Sequence, residues 1–176
     1  MKIYSVRHGQ TDWNANNLVC GRTDALLTDL GREQAKRTAL ALKDKGIDII
    51  ICSPLNRAQE TANIINRTLC VKIITDSRLI EQDYGIFEGT NRFGKEFLEN
   101  KKNLAYKYPK GESAIGVAHR VYSLIDEVIA KYADKTVLFV SHNGVCRLIN
   151  TYFRDVTNEE YFLYSLDNCG IEEYDI

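Results

Sequence analysis

Apolar residues along this chain fall into two alternating kinds of run. Short, nearly unbroken stretches read as strands: Lys2–Val6, Asp48–Cys52, Val71–Thr75 and Thr136–Ser141. The second and fourth are continuous enough for buried parallel strands, apolar on both faces. Between them, apolar residues recur every three or four positions. Leu30, Ala35, Ala39 and Leu42 predict a helix capped by Thr28 and stopped before Gly46. Ser53-Pro54 offers an N-cap and first-turn proline to a second helix, striped by Ala58, Ala62, Ile65 and Leu69. A long helix runs from Ser113 to about Tyr132 on Val117, Val121, Leu124, Ile125 and Val128, and another from Gly144 to Phe153. Residues 9–27 and 76–90 read as loops, and the tail as one or two short strands around Asp167-Asn168. Residues 91–107 read as a highly charged helix, either a cap over a site or a solvated surface element. Strand and helix alternate throughout, which predicts an α/β fold with a mainly parallel sheet covered on both faces.

Composition narrows the class. A chain of 176 residues, 44% apolar and 27% charged with two prolines, is expected to form one soluble globular domain, 1–176. Its 23 basic and 24 acidic residues nearly cancel, so no polyanion-binding surface shows in bulk and nucleic acid is not an expected partner. No apolar run is long enough to cross a bilayer, and no membrane partner is expected. The chain enters a strand at once, without a signal sequence, and its five cysteines form no CxxC pair. They read as buried thiols in a reducing, cytoplasmic setting.

The chemistry gathers at strand ends. The first strand runs out at Arg7-His8-Gly9, the second before Ser53-Pro54-Leu55-Asn56-Arg57, and the fourth at Ser141-His142-Asn143-Gly144. Parallel strands bring these ends to one sheet edge, where open α/β sheets bind ligands. An imidazole beside a guanidinium is biased towards its neutral, nucleophilic form, and Gly9 would let the backbone approach a ligand closely. Two arginines and two histidines without a compensating acid suit a phosphate. The alternative for Arg57 is a pair with Glu60 on its own helix. Three scattered histidines without ligand spacing offer no metal site, and His119 matches no motif. Gly89-Thr90-Asn91-Arg92-Phe93-Gly94-Lys95 mimics a nucleotide-binding P-loop, but Glu96 replaces the magnesium-binding Ser or Thr.

Further motifs extend the pattern: Trp13-Asn14, Gly21-Arg22 with Leu27-Thr28 and Gly31, Arg57-Ala58 with Glu60-Thr61-Ala62, Glu81 with Tyr84-Gly85 and Glu88-Gly89, and Gly111-Glu112-Ser113. In this order, from residue 7 to about 147, they resemble branch 1 of the histidine phosphatase superfamily, the group that holds cofactor-dependent phosphoglycerate mutase. One departure is Asn143, where many members have a second glycine. The resemblance implies a phosphoglycerate mutase-like three-layer α/β/α sandwich and no cofactor or metal. It implies that His8 attacks phosphorus and forms a phosphohistidine, that Arg7, Arg57 and His142 hold the equatorial oxygens, and that Glu81 protonates the leaving alcohol, with Asp83 and Glu88 as competitors. Asn14 is either a phosphate donor or a loop cap, and Asn143 is a candidate for a further donor. Arg22 and Glu112 are either substrate-facing or joined in exposed salt bridges. The implied activity is metal-independent hydrolysis of a small phosphorylated metabolite, such as a sugar phosphate, phosphoglycerate, fructose 2,6-bisphosphate or alpha-ribazole phosphate. Phosphoryl transfer of the mutase type and non-catalytic phospholigand binding are the alternatives, in a monomer or homodimer. Mutases in this group are usually longer, with segments that enclose the substrate.

Overall fold

The computed structural model describes residues 1–176. Five strands form one sheet: β1 (Lys2–Arg7), β2 (Ile49–Cys52), β3 (Lys72–Thr75), β4 (Thr136–Ser141) and β5 (Ile171–Asp175). Their spatial order is β3-β2-β4-β1-β5, and every pairing is parallel except that of β5 with β1. Alternate side chains of the central strands enter two separate cores. Ile3, Ile49, Ile51, Val137 and Phe139 pack against α5 (Ala114–Lys131) and α6 (Asn143–Phe153). Tyr4, Val6, Ile50, Cys52, Leu138 and Val140 pack against α2 (Asp29–Leu42) and α3 (Asn56–Leu69). The result is an α/β/α sandwich with both sheet faces covered, so its central strands carry no polar alternation.

The β1–β4 register sets Arg7 opposite Ser141, and the β2–β4 register sets Cys52 opposite Val140. The segments Arg7–Gly9, Ser53–Arg57 and Ser141–Gly144 therefore leave the sheet side by side, as the strand pattern predicts. A short helix α1 (Asp12–Ala15) interrupts the first loop; Thr11 caps it, and Asn14 completes the capping box.

Several expectations need correction. Leu30 is half exposed, because α2 turns Gly31 inward instead. A Cβ on Gly31 would stand 2.2 Å from the Gln10 carbonyl oxygen, and one on Gly9 would stand 2.4 Å from that of Gly31. Gly9 thus serves a close approach between backbones, loop against helix. Ser53-Pro54 does not open α3, which begins at Asn56 after Leu55 with no side-chain cap. Of the cysteines, Cys70 is exposed in the left-handed position that ends α3, and Cys20 is half-buried. All five are free thiols. Only Lys95–Lys101 of the 91–107 segment is helical (α4). Side-chain oxygens of Asn91 and Asn103 accept from the Phe93 and Ala105 amides, turns that compete with helix at both ends. The tail holds a helix not expected there, α7 (Asn158–Leu163), opened by a Thr157–Glu160 capping box.

Candidate active site

His8 follows β1 directly and is buried. Its Nδ1 lies 2.7 Å from the Gly9 carbonyl oxygen, so Nδ1 carries the proton and Nε2 keeps its lone pair. That lone pair accepts from Arg57 Nε at 3.3 Å. Burial, then the guanidiniums of Arg57 and Arg7, push the imidazole well below its ordinary pKa, so it is neutral at physiological pH. The Gly9 amide is in turn held by Thr61 Oγ1 at 3.1 Å.

Arg57 does not pair with Glu60, which holds Arg32 at 2.7 Å instead. Its Nη1 and Nη2 donate to the Thr23 and Gly21 carbonyls, tying α3 to the loop after α1. Its Nε is shared between His8 Nε2 and, at 3.2 Å, His142 Nδ1. His142 is fully buried, and burial followed by Arg57 lowers its pKa strongly. The two imidazole rings stand 5.2 Å apart. Arg7 gives one donor to the Leu166 carbonyl at 2.8 Å, while its buried Nε has no partner in the protein.

Beside this cluster lies a cavity of about 150 Å³ lined by Arg7, His8, Asn14, Glu81 and Asn143. Arg57 and His142 stand behind it, in contact with His8. Glu81 is the one carboxylate in the lining, and its two oxygens accept from the Gln82 amide at 2.8 Å and the Gly144 amide at 3.0 Å. A Cβ on Gly144 would come within 2.5 Å of Glu81 Oε1, so this approach requires the glycine. Asp83 and Glu88 lie outside. Glu88 braces the Arg22 and Thr23 amides, and Asp83 accepts from the Gly85 amide. Arg22 and Glu112 pair with each other at 2.9 Å, away from the cavity, and Glu112 also holds Arg120. His119 is exposed on α5.

A model of the histidine phosphatase superfamily, branch 1, matches residues 3–176. The chain belongs to that superfamily. It is 30% identical over 185 residues to the "Probable phosphoglycerate mutase GpmB" of Yersinia pestis, a match covering 99% of this chain and 85% of that protein. Among solved structures, it is similar to a mycobacterial glucosyl-3-phosphoglycerate phosphatase in complex with VO3. That likeness has a TM-score of 0.88 and 26% identity, covering 98% of this chain and 91% of the other. It is also similar to YhfR of Bacillus stearothermophilus, with a TM-score of 0.87 and 26% identity over 98% and 89% of the two chains.

Some residues at the site went unread in the sequence. Asn168 Nδ2 donates to the His8 carbonyl at 3.0 Å and to Asn14 Oδ1 at 3.2 Å. Because the Thr11 amide also donates to Oδ1, the Asn14 amide group is left free towards the cavity it lines. Asn14 therefore caps its loop and can still present a donor. Asn143 is fixed alike, its Oδ1 accepting from the Leu166 amide at 3.0 Å. Arg92, Lys101 and Arg147 line the cavity as well, and none has a carboxylate partner. Helical spacing offered a signal for two of them: Arg147 is four residues beyond Asn143, and Lys101 four beyond Phe97. The 91–107 segment stands over the cavity as a cap, placing Phe93, Phe97 and Leu98 in its lining. Its anchor is an aromatic cluster in which Phe97 meets Tyr84, Phe87 and Tyr108.

No three His, Cys, Asp or Glu side chains come together where they could hold a metal ion. No helix is long and apolar enough to cross a membrane.

Proposed function

We propose that this chain is a metal-independent phosphomonoesterase that acts through a phosphohistidine on His8, on a small metabolite carrying a second anionic group. The observation that carries the reading is the neutral His8, with its Nε2 lone pair directed at Arg57, beside a cavity whose lining contains one carboxylate, Glu81. In the resting site, the Arg57 Nε–H occupies that lone pair. A phosphoryl oxygen is a stronger acceptor, so substrate draws the guanidinium onto itself and frees the nucleophile. Nε2 then bonds to phosphorus as the ester P–O bond breaks, and the Glu81 carboxyl gives its proton to the departing oxygen. In the second half, the Glu81 carboxylate takes a proton from water, whose oxygen bonds to phosphorus while the N–P bond breaks. Arg7, Arg57, His142, Asn14 and Asn143 supply donors to the charge on the equatorial oxygens.

Arg92, Lys101 and Arg147 are more cations than one phosphate needs, and they support the second anion. Phosphoglycerate, which figures in the names of both the GpmB relative and the mycobacterial phosphatase, joins a phosphate and a carboxylate in one small molecule. Mutase-type transfer is the second reading, favoured by the name of the GpmB relative. The likeness to the mycobacterial glucosyl-3-phosphoglycerate phosphatase supports hydrolysis.

The test is phosphate release from 3-phosphoglycerate and from glycerol 3-phosphate after exhaustive chelation, with acid-quenched labelling and peptide mapping. Release should persist, the first substrate should have the higher kcat/KM, and the label should map to His8 and vanish in His8→Ala. Strict dependence on a restored divalent ion, or a label elsewhere, would overturn the mechanism. Conversion to 2-phosphoglycerate without net phosphate release would identify a mutase. Equal kcat/KM for the two substrates would remove the second-anion assignment alone.

A further inference from the structure

The buried hydroxyl of Ser53 lies 2.7 Å from His142 Nε2, on the side of the ring away from Arg57. A neutral imidazole has one N–H, and whether His142 can donate to a phosphoryl oxygen depends on which nitrogen carries it. Nδ1 is the nitrogen on the reactive side, since the Arg57 Nε that it meets also meets His8 Nε2. The proton must therefore sit on Nδ1 for His142 to serve as a donor there.

We infer that Ser53 is a positioning residue that, once a phosphoryl oxygen has drawn the Arg57 N–H away from Nδ1, donates its hydroxyl proton to His142 Nε2 and so holds the ring in the Nδ1–H tautomer. The hydrogen-bond inventory around Ser53 supports this direction. Ser53 Oγ already accepts from the Leu55 amide at 3.3 Å, and His142 Nε2 is the acceptor within its reach. With the opposite tautomer, Oγ would accept from both neighbours and its own proton would have no place to go, a poor arrangement for a residue with no solvent exposure. In the resting site the Arg57 Nε–H points at Nδ1 at 3.2 Å; an oxyanion that draws this N–H onto itself leaves Nδ1 free to carry the proton and to donate to the same oxygen.

The placement is rigid. The Ser53 amide donates to the Val140 carbonyl at 3.0 Å, tying it to β4, and its carbonyl accepts from Gln59 Nε2 at 2.6 Å. This accounts for a serine that begins no helix although it precedes Pro54 just ahead of α3.

The inference rests on the phosphohydrolase reading of the site, and the experiment separates the two. In 15N-resolved NMR of the wild-type protein saturated with inorganic phosphate, His142 should show a protonated Nδ1 and a pyridine-like Nε2. Ser53→Ala should shift that pattern towards Nε2–H and lower kcat by roughly ten- to a hundredfold, approaching the cost of losing a stabilising donor outright, with a smaller change in KM. In a His142→Ala background, Ser53→Ala should cost little more. An Nε2–H tautomer in the phosphate-bound wild type overturns the assignment even if hydrolysis is confirmed, and needs no variant to fold. An equal loss in both backgrounds would make Ser53 merely structural. Absence of any phosphate release by the wild type would instead remove the reading on which the assignment stands.

Discussion

His8, Arg57 and His142 form a chain of nitrogens in which each hydrogen bond decides the role of the next atom: Gly9 fixes the His8 tautomer, and Arg57 covers the nitrogen left free. These residues were legible because each lies within a few positions of a strand end, and strand ends are what apolar runs mark best. Arg22 and Glu112 show where that logic stops, since motif position does not say whether two opposite charges face a ligand or each other. Glu81 lies on a loop, where no periodicity fixes direction; burial and two backbone donors do so. If it protonates the leaving oxygen, its importance should follow how badly that oxygen needs a proton. Glu81→Gln keeps an acceptor for a backbone amide but cannot deliver the proton, so alkyl phosphates should slow by roughly a hundred- to ten-thousandfold. Nitrophenyl phosphate, whose leaving group departs readily unprotonated, should lose much less. Equal losses on the two substrates in steady-state kinetics would limit Glu81 to positioning.

At the scale of elements, the tail does more than its sequence suggests. The crossing from α7 to β5 supplies the Leu166 carbonyl to Arg7, the Leu166 amide to Asn143, and the Asn168 side chain to both His8 and Asn14. Half of these contacts come from backbone groups of a loop, of which side-chain patterns carry no record, and the other half from one asparagine in a turn. The α7 capping box, Thr157 to Glu160, was readable as a helix start, but six residues are too few to show a face. The cap over the site was half legible: its aromatic residues stood out, while the turns at Asn91 and Asn103 that shorten its helix did not. Asn168→Ala should free the Asn14 amide to flip its oxygen towards the cavity. We expect kcat/KM to fall roughly tenfold, the worth of about one hydrogen bond, with little effect in an Asn14→Ala background. The same loss in both backgrounds would show that Asn168 acts through the His8 carbonyl instead.

Across the whole molecule, a net charge of −1 conceals a local imbalance: Arg7, Arg57, Arg92, Lys101 and Arg147 surround a cavity whose lining holds only Glu81 as an acid. Bulk composition cannot reveal this, because the fold spends its acidic residues on outer salt bridges such as Arg32–Glu60 and Arg78–Asp76 and leaves the inner cations to a ligand. Lys101 reports the consequence. Burial, then Arg147 and Arg92, lower its pKa to about 8, so the empty site holds an ammonium below that pH and a neutral amine above it. A second anionic group placed beside Lys101 favours the charged form and raises its pKa on binding, so binding above pH 8 requires uptake of a proton. For 3-phosphoglycerate, Kd should therefore be flat below pH 8 and rise above it, by at most tenfold per pH unit, until the pKa of the complex is passed. Glycerol 3-phosphate, with no second anion, should show a weaker rise over the same range. Lys101→Met should bind 3-phosphoglycerate more weakly near neutral pH and abolish the excess slope. Competition titrations against inorganic phosphate across pH 6.5–9.5 would measure this. The same slope for both ligands in the wild type, surviving in Lys101→Met, would place the titrating group on the phosphate cluster and take Lys101 out of second-anion recognition.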